Sequence, residues 1–196
     1  MTKKQREEEQ IKVCREVWFP NHKAKIKPHT HIGLEPETVH VLDWRNPASG
    51  NYWMRYIISG RSLIVIGDAG DAVFEWGENI TWEFLSQCDL HYFSGKCRAS
   101  EHGGRYKTWD HNIAESGLRD YAIRNECSKE QIEAIEDTIQ WGHTASRDEF
   151  LTWVADCDAF PEGEDKSALL ECGEVLDARC IGMWVGLQMA KEQLRD

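Results

Sequence analysis

The stretch Tyr52–Trp82 decides the fold, because it contains three strand-like runs in succession: Tyr52-Trp53-Met54-Arg55-Tyr56-Ile57-Ile58, Ser62-Leu63-Ile64-Val65-Ile66 and Ala72-Val73-Phe74-Glu75-Trp76. Aromatic and β-branched residues dominate these runs, as is typical of strands. Short glycine-containing turns separate them, and connections of this length join only antiparallel neighbours. The stretch therefore predicts an antiparallel meander of three strands.

The segments before the meander are predicted to be a helix, a loop and one further strand. Lys3–Val17 has apolar residues at helical spacing and is stopped by Pro20. Asn21–Pro36 is predicted to be a loop. Thr38–Trp44 alternates well enough to add a fourth strand to the sheet.

The chain after Gly77 is predicted to be mostly helical. The predicted N-terminal caps are Asn79 or Thr81, then Asp89, Asp110, and capping boxes that begin at Ser128 and Ser146. The helix that begins at Asp89 is expected to carry Leu90, Phe93 and Cys97 on one face and to end at Gly103-Gly104.

The last helix is predicted over Ser167–Leu194 and is expected to be buried centrally, since it is apolar on two sides. Gly182 and Gly186 lie one turn apart in it and are expected to let another backbone come close. Its apolar seam also permits a dimer interface, so the chain is expected to be a monomer or a homodimer.

These elements predict an α+β fold with a small antiparallel β-meander of three to four strands in the N-terminal half, packed against a mostly helical C-terminal half. A chain of 196 residues suits a single domain. Within it we distinguish an N-terminal helix and loop (residues 1–50), the meander plus helices (51–109) and an acidic helical subdomain (110–196).

The composition favours a cytoplasmic protein. The sequence contains no run of 18 apolar residues, and Met1–Glu7 lacks the apolar core of a secretory signal. The seven scattered cysteines then fit reduced thiols.

The charge of the chain is concentrated in its C-terminal part. Residues 1–109 hold 15 Lys+Arg and 14 Asp+Glu, whereas residues 110–196 hold eight and 20. A field of this sign repels nucleic acid and favours a partner protein with a basic surface, including a nucleic-acid-binding complex. Regularly presented carboxylates can also occupy a groove built for phosphates, which would make the protein a nucleic-acid mimic.

The predicted partner-binding residues are carboxylates of the acidic segment Asp148–Asp177 and of the turn Gly67–Asp71, which follows the second strand of the meander. They are Asp148, Glu149, Asp156, Asp158, Glu162, Glu164, Asp165 and Glu171, with Asp68 and Asp71 as a secondary patch. Acidic residues on helix faces commonly do no more than keep a protein in solution, so that alternative stays open.

Sites for metal or nucleophilic chemistry are only weakly indicated. His29, His31 and His40, with Asp43 nearby, have the ligand types of a divalent-metal site but no fixed spacing joins them, so no metal and no cofactor is predicted. Cys88 and Cys97 near His91 are the best candidates for an activated thiol. No catalytic constellation is visible.

Several segments resemble small proteins of tailed bacteriophages and prophages. The segments are Met54–Trp76, Ile80–Leu85, Cys88–Phe93, Lys96–Glu101 and, in the last helix, Arg179–Ala190, so the resemblance covers about Met54–Trp109 and that helix. It implies no catalytic residues. By analogy of class, it implies an accessory protein that occupies a host machine, as anti-CRISPR proteins do.

The expected function is therefore that of a phage or prophage accessory protein that inhibits a host-defence complex through an acidic surface. One alternative is a small nucleotide- or metal-binding protein that sequesters or hydrolyses its ligand, with Trp44 and Trp53 as stacking platforms. Another is a phage structural or assembly factor.

Overall fold

The computed structural model describes residues 1–31, 37–101, 106–160, 168–169 and 171–194, with side chains throughout these ranges except at 27–31 and 37–38. Its helices are α1 (Lys3–Val13, followed by a π-helical turn over Cys14–Trp18), α2 (Trp82–Leu85), α3 (Leu90–Ser94), α4 (His111–Arg124), α5 (Lys129–Gln140), α6 (Arg147–Asp156) and α7 (Ala178–Leu194). Its strands are β1 (Lys23–His31), β2 (Glu37–Arg45), β3 (Met54–Ser59), β4 (Ser62–Gly67), β5 (Ala72–Glu75), β6 (Cys97–Ser100), β7 (Lys107–Trp109) and β8 (Glu174–Leu176). The predicted α+β class is confirmed.

The chain divides into two compact units. The sheet unit comprises residues 7–106 and 176–196, and the helical unit comprises residues 1–6 and 107–175. The helical unit holds nine Lys+Arg and 17 Asp+Glu, a net charge of −8, against −3 for the sheet unit. Most of the net charge of −11 therefore belongs to the helical unit.

In the part of the chain that the structure describes, six strands form an antiparallel meander in the order β1-β2-β3-β4-β5-β6. The predicted core of the meander is confirmed, but the loop predicted over Asn21–Pro36 is wrong for β1. Lys23 and Lys25 alternate with Ala24 and Ile26, which pack against the core. This period of two is that of a strand with one solvated face, although lysines are uncommon in strands.

The inner face of the sheet forms the core of the sheet unit. Its members alternate along β2 to β5 and are Leu42, Trp44, Met54, Tyr56, Ile58, Leu63, Val65, Ala72 and Phe74, all buried. Helix α7 packs on this face, and the buried Tyr56 hydroxyl donates a hydrogen bond to the Met183 carbonyl at 2.8 Å. The expectation that the last helix is buried centrally is confirmed.

Two details of the last helix were predicted wrongly. The helix begins at Ala178 rather than Ser167, because Glu174–Leu176 forms β8, which pairs with β7. A Cβ at Gly182 would lie 2.5 Å from the Trp18 ring, and one at Gly186 would lie 2.5 Å from the Tyr56 hydroxyl. These glycines thus admit aromatic side chains rather than another backbone.

The helix predicted from Asp89 is shorter than expected. Asp89 caps α3 as predicted, but α3 ends at Ser94, and Cys97–Ser100 is a strand rather than helix. Cys97 pairs with Phe74 on β5. The predicted end at Gly103-Gly104 lies outside the described residues.

The helical unit has its own core beneath α4, α5 and α6. Buried members are Leu118, Tyr121, Ile135, Phe150, Val154, Phe160 and Leu169. Asp110, Ser128 and Ser146 cap the three helices as predicted, and Ser128 and Gln131 complete the predicted capping box. The second predicted box is wrong, because at Ser146 the structure has only the bond from the Glu149 N–H to the Ser146 hydroxyl, at 3.2 Å. Among the described residues, no helix has both the length and the apolar composition that crossing a bilayer requires.

Candidate functional site

Helix α6 displays three of the predicted partner-binding carboxylates. Phe150 and Val154 bury one side of this helix in the core of the helical unit. Asp148, Glu149 and Asp156 consequently lie on its solvent-facing side, where all three are exposed. None of them makes an ion pair with another described residue, so their charges are not neutralised within the described chain.

A depression on α6 gathers two of these carboxylates. Glu149 and Asp156 line it together with His143, Thr152 and Trp153, and its volume is about 370 Å³. Glu149, Thr152 and Asp156 are spaced three and four residues apart, so they follow one another along one side of the helix. The depression thus brings two acids together at a concave point of the surface.

The Trp153 ring forms the apolar part of the depression. It packs against Phe150, with ring centroids 5.5 Å apart, and against Phe160 at 6.2 Å, so its position is set by the core. The Thr152 hydroxyl donates to the Asp148 carbonyl at 3.0 Å. Two carboxylates beside a fixed indole suit a guanidinium or ammonium group, which can pair with the acids and lie on the ring.

Asp156 occupies a position where the dipole of its own helix is unfavourable for a carboxylate. It is the last residue of α6, where the partial negative charge of the helix end disfavours a carboxylate. Asp148 and Glu149 lie in the first turn, where the helix end favours them. The helix alone therefore does not account for the acid at position 156.

The solvent-facing side of α5 adds carboxylates that the predicted set did not include. Glu130, Glu133 and Asp137 are exposed and lie at positions i, i+3 and i+7. Lys129 pairs with Glu133 at 3.3 Å. The strong amphipathic pattern of Lys129–Gln140 was the available signal for this acidic stripe.

The remaining predicted acids are not gathered at the depression. Asp158 is exposed just beyond α6. Glu171 lines a separate cavity of about 600 Å³ together with Lys3 and Arg124, so basic side chains accompany it. Burial raises the pKa of Cys172 in that cavity to about 11, so this thiol stays protonated at neutral pH. Glu162, Glu164 and Asp165 lie outside the described residues.

Asp68 and Asp71 accept hydrogen bonds that shape the sheet unit. An Asp68 carboxylate oxygen accepts from the Trp53 N–H at 3.3 Å, and one of Asp71 accepts from the Gly67 N–H at 3.3 Å. Both residues are exposed. Their turn geometry is thereby explained, and their part in binding stays a prediction.

The weakly indicated metal site is not assembled by the described residues. His40 and Asp43 are three residues apart in β2, and His40 is in step with the buried Leu42 and Trp44, so the two lie on opposite faces of the sheet. The side chains of His29 and His31 lie outside the described residues. No group of three His, Cys, Asp or Glu side chains suited to a metal ion occurs among the side chains that the structure describes.

The candidate thiols are not activated. Cys88 and Cys97 are buried, and burial raises the pKa of each above its ordinary value. A raised pKa keeps the thiol protonated, whereas a nucleophile requires the thiolate. His91 instead faces Glu7, with 3.2 Å between its Nε2 and the carboxylate.

A basic pocket on the sheet was not predicted. Lys23, Lys25, Arg45 and Arg55 line it beside Trp53, and its volume is about 660 Å³. These residues come from three successive strands and the residue before the third, and strand register brings them together. The proposed stacking platform Trp44 is fully buried in the core and does not reach this pocket.

No protein-family model, curated protein or solved structure matches this chain. The resemblance of Met54–Trp109 and the last helix to phage proteins stays a prediction.

Proposed function

We propose that this chain is a binding protein whose helical unit docks on a cationic surface of a host protein. The observation that carries the proposal is the depression on α6, where Glu149 and Asp156 lie beside the fixed ring of Trp153. The net charge of −8 on the helical unit supports the same sign of partner.

The depression suits an arginine of the partner better than a lysine. A planar guanidinium can pair with a carboxylate through two parallel hydrogen bonds while its face lies on an aromatic ring. Lysine offers a single compact ammonium group, which can approach the ring but cannot form two parallel hydrogen bonds with a carboxylate or stack a flat face on the indole. The exposed acids of α5 would then contribute steering and orientation, because exposed charges act mainly on the rate and specificity of association.

The biological role that we propose follows from the resemblance rather than from the geometry. The chain is a phage or prophage accessory protein that acts in the cytoplasm of a bacterial host and inhibits a protein machine there, such as a CRISPR or another defence complex. Its carboxylates occupy a site that normally receives the phosphates of nucleic acid. The protein itself needs no nucleic acid, metal or cofactor for this role.

The proposal is tested by capture from a bacterial lysate with the wild-type chain and with the E149K/D156K variant. The matched control is E9K/E78K, which makes the same change of charge at two exposed acids of the sheet unit. We expect one protein to be retained by the wild type and the control, lost from E149K/D156K, and released as salt is raised from about 0.1 to about 1 M.

A retained protein that stays bound to E149K/D156K, or that resists high salt, would contradict the proposal. A captured protein with an acidic surface would do so equally. The defence role is tested separately, by whether the captured protein loses its nucleic-acid binding when the chain is added.

A further inference from the structure

The basic pocket lies on the outer face of the sheet at the β1–β3 side. Lys23 and Lys25 face away from the core because the alternate residues Ala24 and Ile26 pack against it. The same alternation places Arg45 outward on β2, beside the buried Trp44. Arg55 likewise lies between the buried Met54 and Tyr56 on β3.

Strand register places these basic side chains next to one another. Lys23 is directly opposite Arg45, and Lys25 is opposite Asp43, which in turn is opposite Arg55. Residues opposite one another in neighbouring strands have Cβ atoms about 5 Å apart, where like charges are destabilising. Lys23 and Arg45 make no ion pair with another described residue. The fold thus tolerates a repulsion at this position that an anionic ligand would relieve.

Asp43 accounts for only part of the positive charge. Its carboxylate is largely buried and accepts a hydrogen bond from Arg55 Nε at 2.6 Å. This bond raises the pKa of Arg55 and fixes the direction of its guanidinium. Of the described residues that line the pocket, four are basic and one is acidic, in a protein whose net charge is −11.

One part of the pocket lining is an exposed indole whose backbone is well anchored. Trp53 is 37% exposed, and its backbone is fixed by two hydrogen bonds with Asp68. The preceding Tyr52 stacks on Trp18 at 5.2 Å, and its carbonyl accepts from His22 Nε2 at 3.0 Å. The loop that carries Trp53 is therefore ordered before any ligand arrives, which reduces the entropy cost of binding.

Protection of a sheet edge explains only some of these residues. Lysines on an edge strand discourage pairing with other chains, and β1 is at the edge of this sheet. Arg45 and Arg55, however, are on the interior strands β2 and β3, where no edge requires protection. Trp53 has no role in such protection either.

We propose that this pocket binds a nucleoside polyphosphate, with its phosphates on Lys23, Lys25 and Arg45 and its base stacked on Trp53. The volume of about 660 Å³ lies within the range of small-ligand pockets, about 300–1,000 Å³. Guanidinium and ammonium groups are the usual partners of phosphate oxygens, and an indole face is the usual platform for a base.

The net charge of the molecule favours a mononucleotide over a nucleic-acid strand. A small ligand inside the pocket interacts mainly with the lysine and arginine side chains that line it, because charges farther away in solution are screened within about 8 Å at physiological salt. An extended polyanion would also meet the field of a molecule whose net charge is −11. The step is binding alone, and no bond of the nucleotide is formed or broken. It is independent of the docking surface proposed above, since it uses other residues and another ligand.

The test is calorimetric titration of the full chain and its variants with ATP, inorganic triphosphate and oligothymidylate. The variants are R45A and W53A, with W53F to retain an aromatic ring. The controls are K12A, at an exposed lysine of α1, and W141A, at a tryptophan that is 75% exposed in the helical unit.

We expect R45A to weaken ATP and triphosphate alike, by about tenfold, because it removes a contact to phosphate. W53A should weaken ATP by about tenfold and leave triphosphate unchanged, because only ATP has a base to stack. W53F should restore most of the affinity for ATP, and both controls should bind as the wild type does.

Three results would overturn the proposal. One is the absence of binding of ATP at about 1 mM. Another is equal affinity for ATP and triphosphate with no effect of W53A. The third is tighter binding of oligothymidylate than of ATP, which would assign the pocket to single-stranded nucleic acid.

Discussion

Asp68, in the turn after β4, exchanges two hydrogen bonds with Trp53, the residue before β3. The Asp68 N–H donates to the Trp53 carbonyl at 3.0 Å, and the Trp53 N–H donates to an Asp68 carboxylate oxygen at 3.3 Å. Asp68 was predicted to bind a partner through its charge. In the structure its hydrogen bonds instead hold the backbone of Trp53, which lines the basic pocket. This pair links the order of the turn to the geometry of the pocket.

Replacing Asp68 with alanine should lower the free energy of unfolding by about 1 kcal/mol, because the Trp53 N–H loses its acceptor. Urea unfolding measures this change. The control is Asp158→Ala, at an exposed acid for which the structure describes no partner, and its effect should stay within about 0.5 kcal/mol. Equal effects of the two substitutions would show that Asp68 has no structural role.

Replacing Gly67 with alanine should cost about 2–4 kcal/mol. Gly67 has φ of +144°, and a Cβ there would lie 2.2 Å from the Trp53 carbonyl oxygen. Gly77 has ordinary backbone geometry and no atom within 4 Å of its would-be Cβ, so Gly77→Ala should be nearly neutral. Urea unfolding of the two variants gives the comparison, and a tolerated Gly67→Ala would contradict the described turn.

Acid should destabilise the protein through His22. Burial lowers the pKa of His22 in the folded chain, where its Nε2 donates to the Tyr52 carbonyl. The unfolded chain binds the proton near its ordinary pKa of about 6.5, whereas the folded chain binds it only at lower pH. The stability that neutral His22 provides is therefore complete above about pH 6.5 and is lost as the pH falls through the folded pKa.

The His22→Gln variant isolates this contribution, because glutamine offers an N–H donor but does not titrate. At pH 7.5 the variant should be less stable than the wild type by about 1–2 kcal/mol, since the imidazole packs between Phe19 and Trp44. The difference should shrink as the pH is lowered to 5 in urea unfolding experiments. A difference that stays constant with pH would show that His22 does not titrate as described.

Charge reversal at the two ends of α6 should change stability in opposite directions. Asp156→Lys replaces an acid at the C-terminal end of the helix and should stabilise by about 0.3–1 kcal/mol. Asp148→Lys places a cation in the first turn and should destabilise by a similar amount. Thermal or urea unfolding distinguishes them, and changes of the same sign would mean that the helix dipole does not govern these positions.

The sequence predicted correctly those elements that depend on neighbouring residues, namely the helix caps and the short turns. The caps Asp89, Asp110 and Ser128 each act through a side chain that reaches its own helix, so the sequence shows them directly. The turns between β3, β4 and β5 are short enough to determine antiparallel pairing.

The elements that were missed are those whose structure depends on residues far away in the sequence or on an unusual residue type. The strand β6 follows a helix and is a strand because Cys97 and Ala99 pair with β5, which the local sequence does not reveal. Strand β1 was hidden because its outward positions are lysines rather than neutral polar residues. The basic pocket required the register of β1, β2 and β3, so its residues had no common signal in the sequence.

The most direct measurement of the central proposal is the dissociation constant between the purified chain and the host protein that it captures. The wild type, E149K/D156K and E9K/E78K are compared at one salt concentration near physiological. Docking through the α6 depression predicts that E149K/D156K weakens the complex by at least about tenfold, while E9K/E78K leaves it within about threefold. Equal weakening by the two variants would contradict a site on α6 and leave only the net charge, and unchanged affinity of E149K/D156K would contradict an acidic docking surface there altogether.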